Sequence, residues 1–272
     1  MERITSLQNQ RIKNIIRLEK PRERKAQNCF VAEGYREISK AIQSGFTISE
    51  LYVCYEIGEK EQTDELVNLL HNKAKLFDVS REVFEKMAYR EGADGLLAVG
   101  VPRYLQLREL QLSANPLILV VEAVEKPGNL GAILRTADAA AIDAVVVCDP
   151  HTDLYNPNVI RSSLGCIFTC KVAVCSSSEA IQYFKKNEIQ TFAAALTAKK
   201  YYHETNLAGS VAIVMGTEAD GLSDVWLNGA DDQIKIPMCG VADSLNVSTS
   251  AAVLVFEAKR QRWAAGEPVI CQ

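Results

Sequence analysis

The chain is poor in the residues that mark several common chemistries. Its three histidines, His71, His151 and His203, are scattered over 272 residues, without the spaced His/Cys sets that hold zinc. Eight cysteines are present, but no two form a C-x-x-C pair. Cys54, Cys148, Cys170 and Cys175 sit inside apolar, strand-like runs, where cysteine serves as a small hydrophobe. A reduced cytoplasmic chain with no metal is therefore expected. Cys239, in "MCG", has no histidine near it in sequence, which leaves a thiol enzyme little support. No apolar run approaches the roughly 20 residues that cross a bilayer. The longest clean one, "PLILVVEAV", is strand-length and already contains Glu122. The opening "MERITSLQNQ" has no apolar signal core.

Charge of one sign is lacking too. Thirty basic residues face 34 acidic ones, a net charge of −4, which excludes a uniformly basic surface but not a local one. Such a patch exists at the start. The first 25 residues hold eight basic side chains (Arg3, Arg11, Lys13, Arg17, Lys20, Arg22, Arg24, Lys25) against three Glu.

What is present reads as two domains of different texture. The length exceeds what one small domain needs, and the hydrophobic share of 48% is ordinary for a globular chain. From Leu7 to about Arg90 the pattern is mixed α/β. "NQRIKNIIRLEK" places Ile12, Ile15, Ile16 and, with drift, Leu18 on one helical face. "FVAEGYREISKAIQSG" is a strand feeding a helix that stops at Gly45, and "ISELYVCYE" and "KLFDVS" are strands. Between these two strands, "TDELVNLLHNKA" is a helix opened by Thr63 or Asp64, and "REVFEKMAYR" adds a short one. The boundary falls between Pro102 and Asn115. Beyond it, "PLILVVEAV", "AVVVCD", "CKVAVC", "TFAAAL", "SVAIVMG" and "DQIKIPM" are near-continuous apolar strands, as expected when both faces of a parallel sheet are covered. "GAILRTADAAA", "NPNVIRSSLG" and "SEAIQYFKKN" are the helices among them.

In an open parallel sheet, ligands gather beyond the carboxyl ends of the strands. Three such ends concentrate glycine and polar residues. In "VEKPGNLGAILRTADAA", Asn129 and Gly131 open a helix that carries Arg135, an arrangement suited to a phosphate or to a plain cap with a surface arginine. Its spacing is not the G-x-G-x-x-G of dinucleotide sites. In "IVMGTEADGLSD", Glu218 follows a buried strand directly, and an acid there is costly unless exposed, paired or in use. In "IPMCGVADSLNVSTSAA", Ser244 can cap the long last helix, with Asn246 in its first turn.

The ordered set "NLGAILR", "GTEADGL" and "IPMCGVADSLNVSTSAA" resembles the SpoU (TrmH-like) RNA ribose 2′-O-methyltransferases, and "NPNVIRSSLG" resembles that family's internal segment ending in Ser-x-Gly, here Ser163 and Gly165. "SLQNQRIKNIIRL" and "FVAEGYREISKAI" are similar to the substrate-binding domain that precedes it in ribosomal RNA members. The resemblance implies an α/β chain in three parts. Residues 1–105 would be a small mixed α/β (L30e-like) RNA-binding domain, 106–115 a linker, and 116–272 a parallel-sheet domain with a deep trefoil knot. It implies S-adenosyl-L-methionine bound by Gly216, Ile236 and Leu245, with Leu196 and Met238 nearby. It also implies a homodimer with each site completed across the interface, and a catalytic set of Asn129, Arg135, Glu218, Ser244 and Asn246. Arginine stays protonated at accessible pH, so Arg135 suits a phosphate clamp at least as well as a base. Thr217 stands where many members carry Asn or another small polar residue. The implied reaction is methyl transfer to a ribose 2′-hydroxyl, most plausibly in 23S-type large-subunit ribosomal RNA. Transfer RNA as substrate, or an RNA-binding protein that lost catalysis, are the alternatives.

Overall fold

A computed structural model of the chain describes residues 1–89, 92 and 94–269. Arg90 and Cys271 lie outside the described residues. The backbone divides into two compact units. The first comprises residues 1–103 together with 153–169, and the second residues 104–152 and 170–272.

The first unit runs β1 (Glu2–Ile4), α1 (Gln10–Arg17), α2 (Pro21–Gln27), β2 (Phe30–Glu33), α3 (Tyr35–Gln43), β3 (Ile48–Val53), α4 (Lys60–Leu70), β4 (Lys75–Val79), α5 (Arg81–Met87) and β5 (Leu96–Gly100). Its sheet has the order β1-β4-β3-β5-β2. β1 and β3 pair with β4 in parallel, and β5 pairs antiparallel with both β3 and β2. Ile12 and Ile15 are buried and Ile16 is half-buried, so the stripe read from the sequence is the inner face of α1, and buried Leu18 extends it just past the helix end. α4 begins three residues before Thr63. Thr63 lies inside the helix, its hydroxyl donating to the Glu59 carbonyl at 2.8 Å, so the threonine that looked like a cap is a buried interior residue.

"NPNVIRSSLG" reads as part of the second domain in sequence, yet it folds with the first unit. It supplies α7 (Pro157–Ser162), followed by α8 (Cys166–Thr169), and these pack on β2 and α3 respectively. Tyr155 stacks on Phe30 with ring centroids 5.5 Å apart, and Phe168 lies 5.1 Å from Phe30 and 5.0 Å from Phe46. Arg24, 2% exposed, sends Nε and Nη2 to Asp153 at 2.9 and 2.6 Å and Nη1 to the Leu18 and Glu19 carbonyls at 2.8 Å. A buried guanidinium is tolerable only when its donors are met. Arg24→Ala would leave Asp153 and two carbonyls without that donor, and is expected to destabilise the unit by about 3 kcal/mol. Both tryptophans, Trp226 and Trp263, belong to the second unit, so hydrogen exchange along β2 is the proper readout. A loss below about 1 kcal/mol would contradict this role for the pair.

The second unit holds β6 (Leu117–Glu122), α6 (Pro127–Ala139), β7 (Ala144–Cys148), β8 (Val172–Cys175), α9 (Ser177–Lys186), β9 (Gln190–Ala194), β10 (Lys200–Tyr201), β11 (Val211–Met215), α10 (Asp224–Gly229), β12 (Asp232–Lys235) and α11 (Val247–Ala264). Its seven strands, in the order β10-β12-β9-β11-β6-β7-β8, pair in parallel throughout. The central strands β6, β7 and β11 are buried along their whole length. This explains their unbroken apolar sequences, because helices cover both faces. α11 packs along α6 and over β11 and β6, burying Ala251, Leu254, Val255 and Ala258. Arg262 near its end donates to the carbonyls of Asn115, Pro116 and Gly209, which ties the helix to the start of β6. No described helix is long and apolar enough to cross a membrane.

Candidate active site

At the carboxyl edge of the seven-stranded sheet, the loops after β9, β11 and β12 and the start of α11 enclose a cavity of about 350 Å3. Leu196, Gly216, Ile236, Met238 and Leu245 all line it, as does Ser244. Its walls are largely apolar (Met215, Leu222, Leu227, Ile234 and Leu254 contribute), with polar side chains such as Thr197, Lys235, Ser244 and Ser250 among them. The loop after β11 owes its shape to two glycines. A Cβ on Gly216 would fall 2.2 Å from the Gly221 carbonyl, and Gly221 itself has φ +70°, a region that side chains disfavour. The Thr217 amide donates to the Gly221 carbonyl, and the Thr217 hydroxyl accepts from the Asp220 amide, both at 2.9 Å. The hydroxyl at this position therefore closes the turn that presents Glu218.

Beside the cavity lies a smaller groove of about 70 Å3 between that loop and the start of α6, lined by Lys126, Asn129 and Glu218. Here the polar residues of three separate segments meet. Glu218 is bonded to Lys126 Nζ through one oxygen and to Asn246 Nδ2 through the other. Asn246 Nδ2 also reaches Asn129 Oδ1 at 3.1 Å. Ser244, by contrast, bonds to its neighbour Asp243 at 3.1 Å and stands on the cavity side.

The cap of α11 differs from the sequence expectation. Asn246, not Ser244, is the N-cap, and Val247 is the first helical residue. Both residue types cap well, so the sequence alone could not choose between them. The structure shows why the choice matters. Asn246 Oδ1 accepts from the Ser248 amide at 3.0 Å and the Ser248 hydroxyl at 2.5 Å. With the oxygen committed to the cap, the amide nitrogen must face Glu218 and Asn129.

Arg135 is not brought into this cluster. It is exposed, six residues past Asn129 on α6, which on an α-helix is about 9 Å along and roughly 120° around from it. Among the described residues it has no hydrogen-bond or ion-pair partner. Lys126 is the participant that sequence reading missed. Its only signal was a lysine immediately before the Pro-Gly-Asn start of α6, where a solvated side chain is the ordinary expectation. The basic N-terminal patch is also smaller than its sequence count. Arg24 is buried, and Arg3, Arg11 and Arg17 pair with acids, while Lys13, Lys20, Arg22 and Lys25 are exposed.

The hydrogen bond from Lys126 holds the Glu218 carboxyl below the usual carboxylate range, outweighing partial desolvation, and Asn129 and the Val247 amide assist. Reciprocally, Glu218 raises the Lys126 ammonium. A depressed carboxylate pKa means that the interaction is complete above the ordinary value of 4.5 and is lost only as pH falls through the lower folded value. Glu218 is then constant in charge across neutral pH. Any activity of wild type and of Glu218→Gln is expected to have pH profiles of the same shape above about pH 5, differing only in height. A limb near neutrality that vanishes in Glu218→Gln would contradict this.

Comparison with known proteins identifies the family. Residues 116–256 match the SpoU rRNA Methylase family, and residues 9–98 match the MRM3-like substrate binding domain. The 23S rRNA (guanosine(2553)-2′-O)-methyltransferase RlmP of Bacillus subtilis is 30% identical over 94% of this chain and 98% of its own. The 23S rRNA (guanosine-2′-O-)-methyltransferase RlmB of Vibrio vulnificus is 34% identical over 75% of this chain and 86% of its own. Among solved structures, an RNA 2′-O ribose methyltransferase superposes with a TM-score of 0.83 at 41% identity, covering 96% of this chain and 99% of that one. An AdoMet-bound rRNA methyltransferase from Sinorhizobium meliloti gives 0.88 at 26% identity, covering 95% and 97%. The chain belongs to the SpoU rRNA methylase family.

Proposed function

We propose that the chain is an S-adenosylmethionine-dependent methyltransferase acting on a ribose 2′-hydroxyl in large-subunit ribosomal RNA. The observation that carries this reading is the sharing of one loop by two sites. Residues 216–219 wall the apolar cavity on one side and the Lys126–Asn129–Glu218 groove on the other. A donor and an acceptor placed on either side of that loop would be in reach of each other.

The cavity fits the cofactor chemically. Its volume lies within the range of about 300–1,000 Å3 typical of small-molecule sites. Apolar walls with a few polar groups suit a neutral adenine. Leu196, Gly216, Ile236, Met238 and Leu245 would hold S-adenosylmethionine, which supplies an electrophilic sulfonium methyl. The chain's own task is to orient the ribose and accommodate the charge that develops on its oxygen. Asn129, Glu218 and Asn246 would hold the ribose, with Ser244 on the cavity side. Lys126, displaced from Glu218, would take a flanking phosphate. Arg135, permanently cationic, would steady the nascent alkoxide or its phosphate. Because Arg135 stands apart within one copy, the arrangement favours a homodimer in which it completes the partner's site.

The remaining assignments go with this reading. Residues 1–105 would bind RNA as an L30e-like domain and 116–272 would carry the trefoil knot, although residues 153–169 fold with the first unit and the expected linker, 106–115, with the second. A match to a substrate-binding domain and relatives named for 23S rRNA favour ribosomal over transfer RNA. Work on ribosomal RNA would favour the cytoplasm as its place of action. Incubation with methyl-labelled S-adenosylmethionine and total RNA tests the proposal. Label should enter large-subunit RNA and survive alkali as a resistant dinucleotide, since a methylated 2′-oxygen cannot attack the adjacent phosphate. Label in a base, or in no RNA, would overturn it.

A further inference from the structure

A buried carboxylate behind the groove has no part in the site as described. Glu122 is the last residue of β6 and 6% exposed. Its Oε2 accepts from the Ser223 amide at 2.8 Å, and its Oε1 accepts from the Ser223 hydroxyl at 2.6 Å and the Ser177 hydroxyl at 2.9 Å. The Ser177 hydroxyl also lies 2.7 Å from Asp149 Oδ2. With one proton, it can donate to only one of the two acids at a time. Ser223 has no such competitor for its two donors, so the Glu122–Ser223 contact is the dedicated one.

The position of this contact gives it a consequence. β6 and β11 are neighbours, with Val121 paired to Met215, and a loop leaves the end of each. Residues 123–126 lead to Lys126 and Asn129, while 216–222 carry Glu218 and end at Ser223, the N-cap of α10. Glu122 starts the first loop and grips the residue that ends the second. Just beyond it, Ala123 is held at φ +50°, a strained value for a side-chain-bearing residue, with its amide bonded to the Cys148 carbonyl at 2.9 Å.

We propose that Glu122 is a positioning residue, which clamps the loop of residues 216–222 against the β6 end and so fixes the spacing of Glu218 from Lys126 and Asn129. A carboxylate suits the place because its two oxygens accept from the Ser223 amide and the Ser223 hydroxyl at once. Glutamine keeps a single acceptor, so one of these two contacts is lost or must reverse. The importance of this spacing rests on the methyl-transfer reading above, but the clamp itself can be read without activity.

Three variants test it. In Glu122→Gln, amide hydrogen exchange over residues 216–222 should rise at least tenfold, and kcat at saturating cofactor should fall at least tenfold with KM for RNA within about threefold. Ser223→Ala removes one of the two dedicated bonds and should move both readouts in the same direction by a smaller factor. If Glu122→Gln does not fold, this milder variant carries the test. Ser177→Ala leaves the clamp in place and should exchange and turn over within about twofold of wild type. A folded Glu122→Gln with wild-type exchange in this loop overturns the clamp. A loosened loop with unchanged kcat overturns its positioning role, as does a Ser177→Ala effect equal to that of Ser223→Ala. A wild-type protein that methylates no RNA overturns the reaction instead, and leaves the exchange result to decide the clamp.

Discussion

Replacing Asn246 by aspartate is expected to remove methyl transfer, by about a hundredfold or more, while leaving the protein as stable as wild type. The two effects separate because the side chain has two jobs on its two ends. Oδ1 caps α11 through the Ser248 amide, and an aspartate oxygen does this equally well, with some gain from a negative charge at a helix N-terminus. Nδ2 donates to Glu218 and to Asn129 Oδ1. Aspartate puts an acceptor in its place, facing a carboxylate held in its charged form by Lys126. The groove must then open or take up another cation. Asn246→Ala gives the complementary pattern, losing about 1 kcal/mol of cap and the donor together, without the repulsion. The check is a thermal melt beside a methyl-transfer assay for both variants. An active Asn246→Asp, or one that is inactive only because it melts early, would remove Asn246 from the account.

How much of this was legible beforehand differs from element to element. The strands of the second unit were plain, because burial on both faces leaves unbroken apolar runs such as "LILVVE". The three loop motifs were legible in residue type and order, and five residues expected at a cofactor do share one cavity. The cap was not, since Ser244 and Asn246 are both good cap formers two residues apart. Only the meeting with Glu218 and Asn129, distant in sequence, distinguishes them. Arg24 looked like one more solvated basic residue, because nothing local betrays a partner at Asp153. For the same reason "NPNVIRSSLG" kept its sequence neighbours in the reading. Its packing on β2 depends on aromatic residues more than a hundred positions away. Lys126 is not legible as a site residue, because a lysine before a proline carries no pattern of its own.

The second large effect concerns Arg135. Arg135→Ala is expected to lower transfer by at least a hundredfold, with affinity for S-adenosylmethionine changed by no more than a few-fold. The exposed place of Arg135 on α6, away from the cavity and from Glu218, gives it no way to support cofactor binding within its own copy. If it completes the partner's site, two dead variants should rescue each other. Arg135→Ala mixed with Asn246→Asp, after subunit exchange, should recover roughly a quarter of wild-type activity, because half of randomly formed dimers hold one intact site of two. An arginine that served its own copy would give no recovery at all. A collapse of cofactor binding in Arg135→Ala would instead place it in the pocket.

The central claim is that this chain methylates a ribose oxygen of large-subunit ribosomal RNA through the joined cavity and groove. Mapping 2′-O-methyl positions across ribosomal RNA from cells with and without the gene, and with Asn246→Asp in its place, tests it most directly. The account predicts that a large-subunit nucleotide loses its methyl group on deletion and fails to regain it with Asn246→Asp. An unchanged map, or a site restored by that variant, would contradict it.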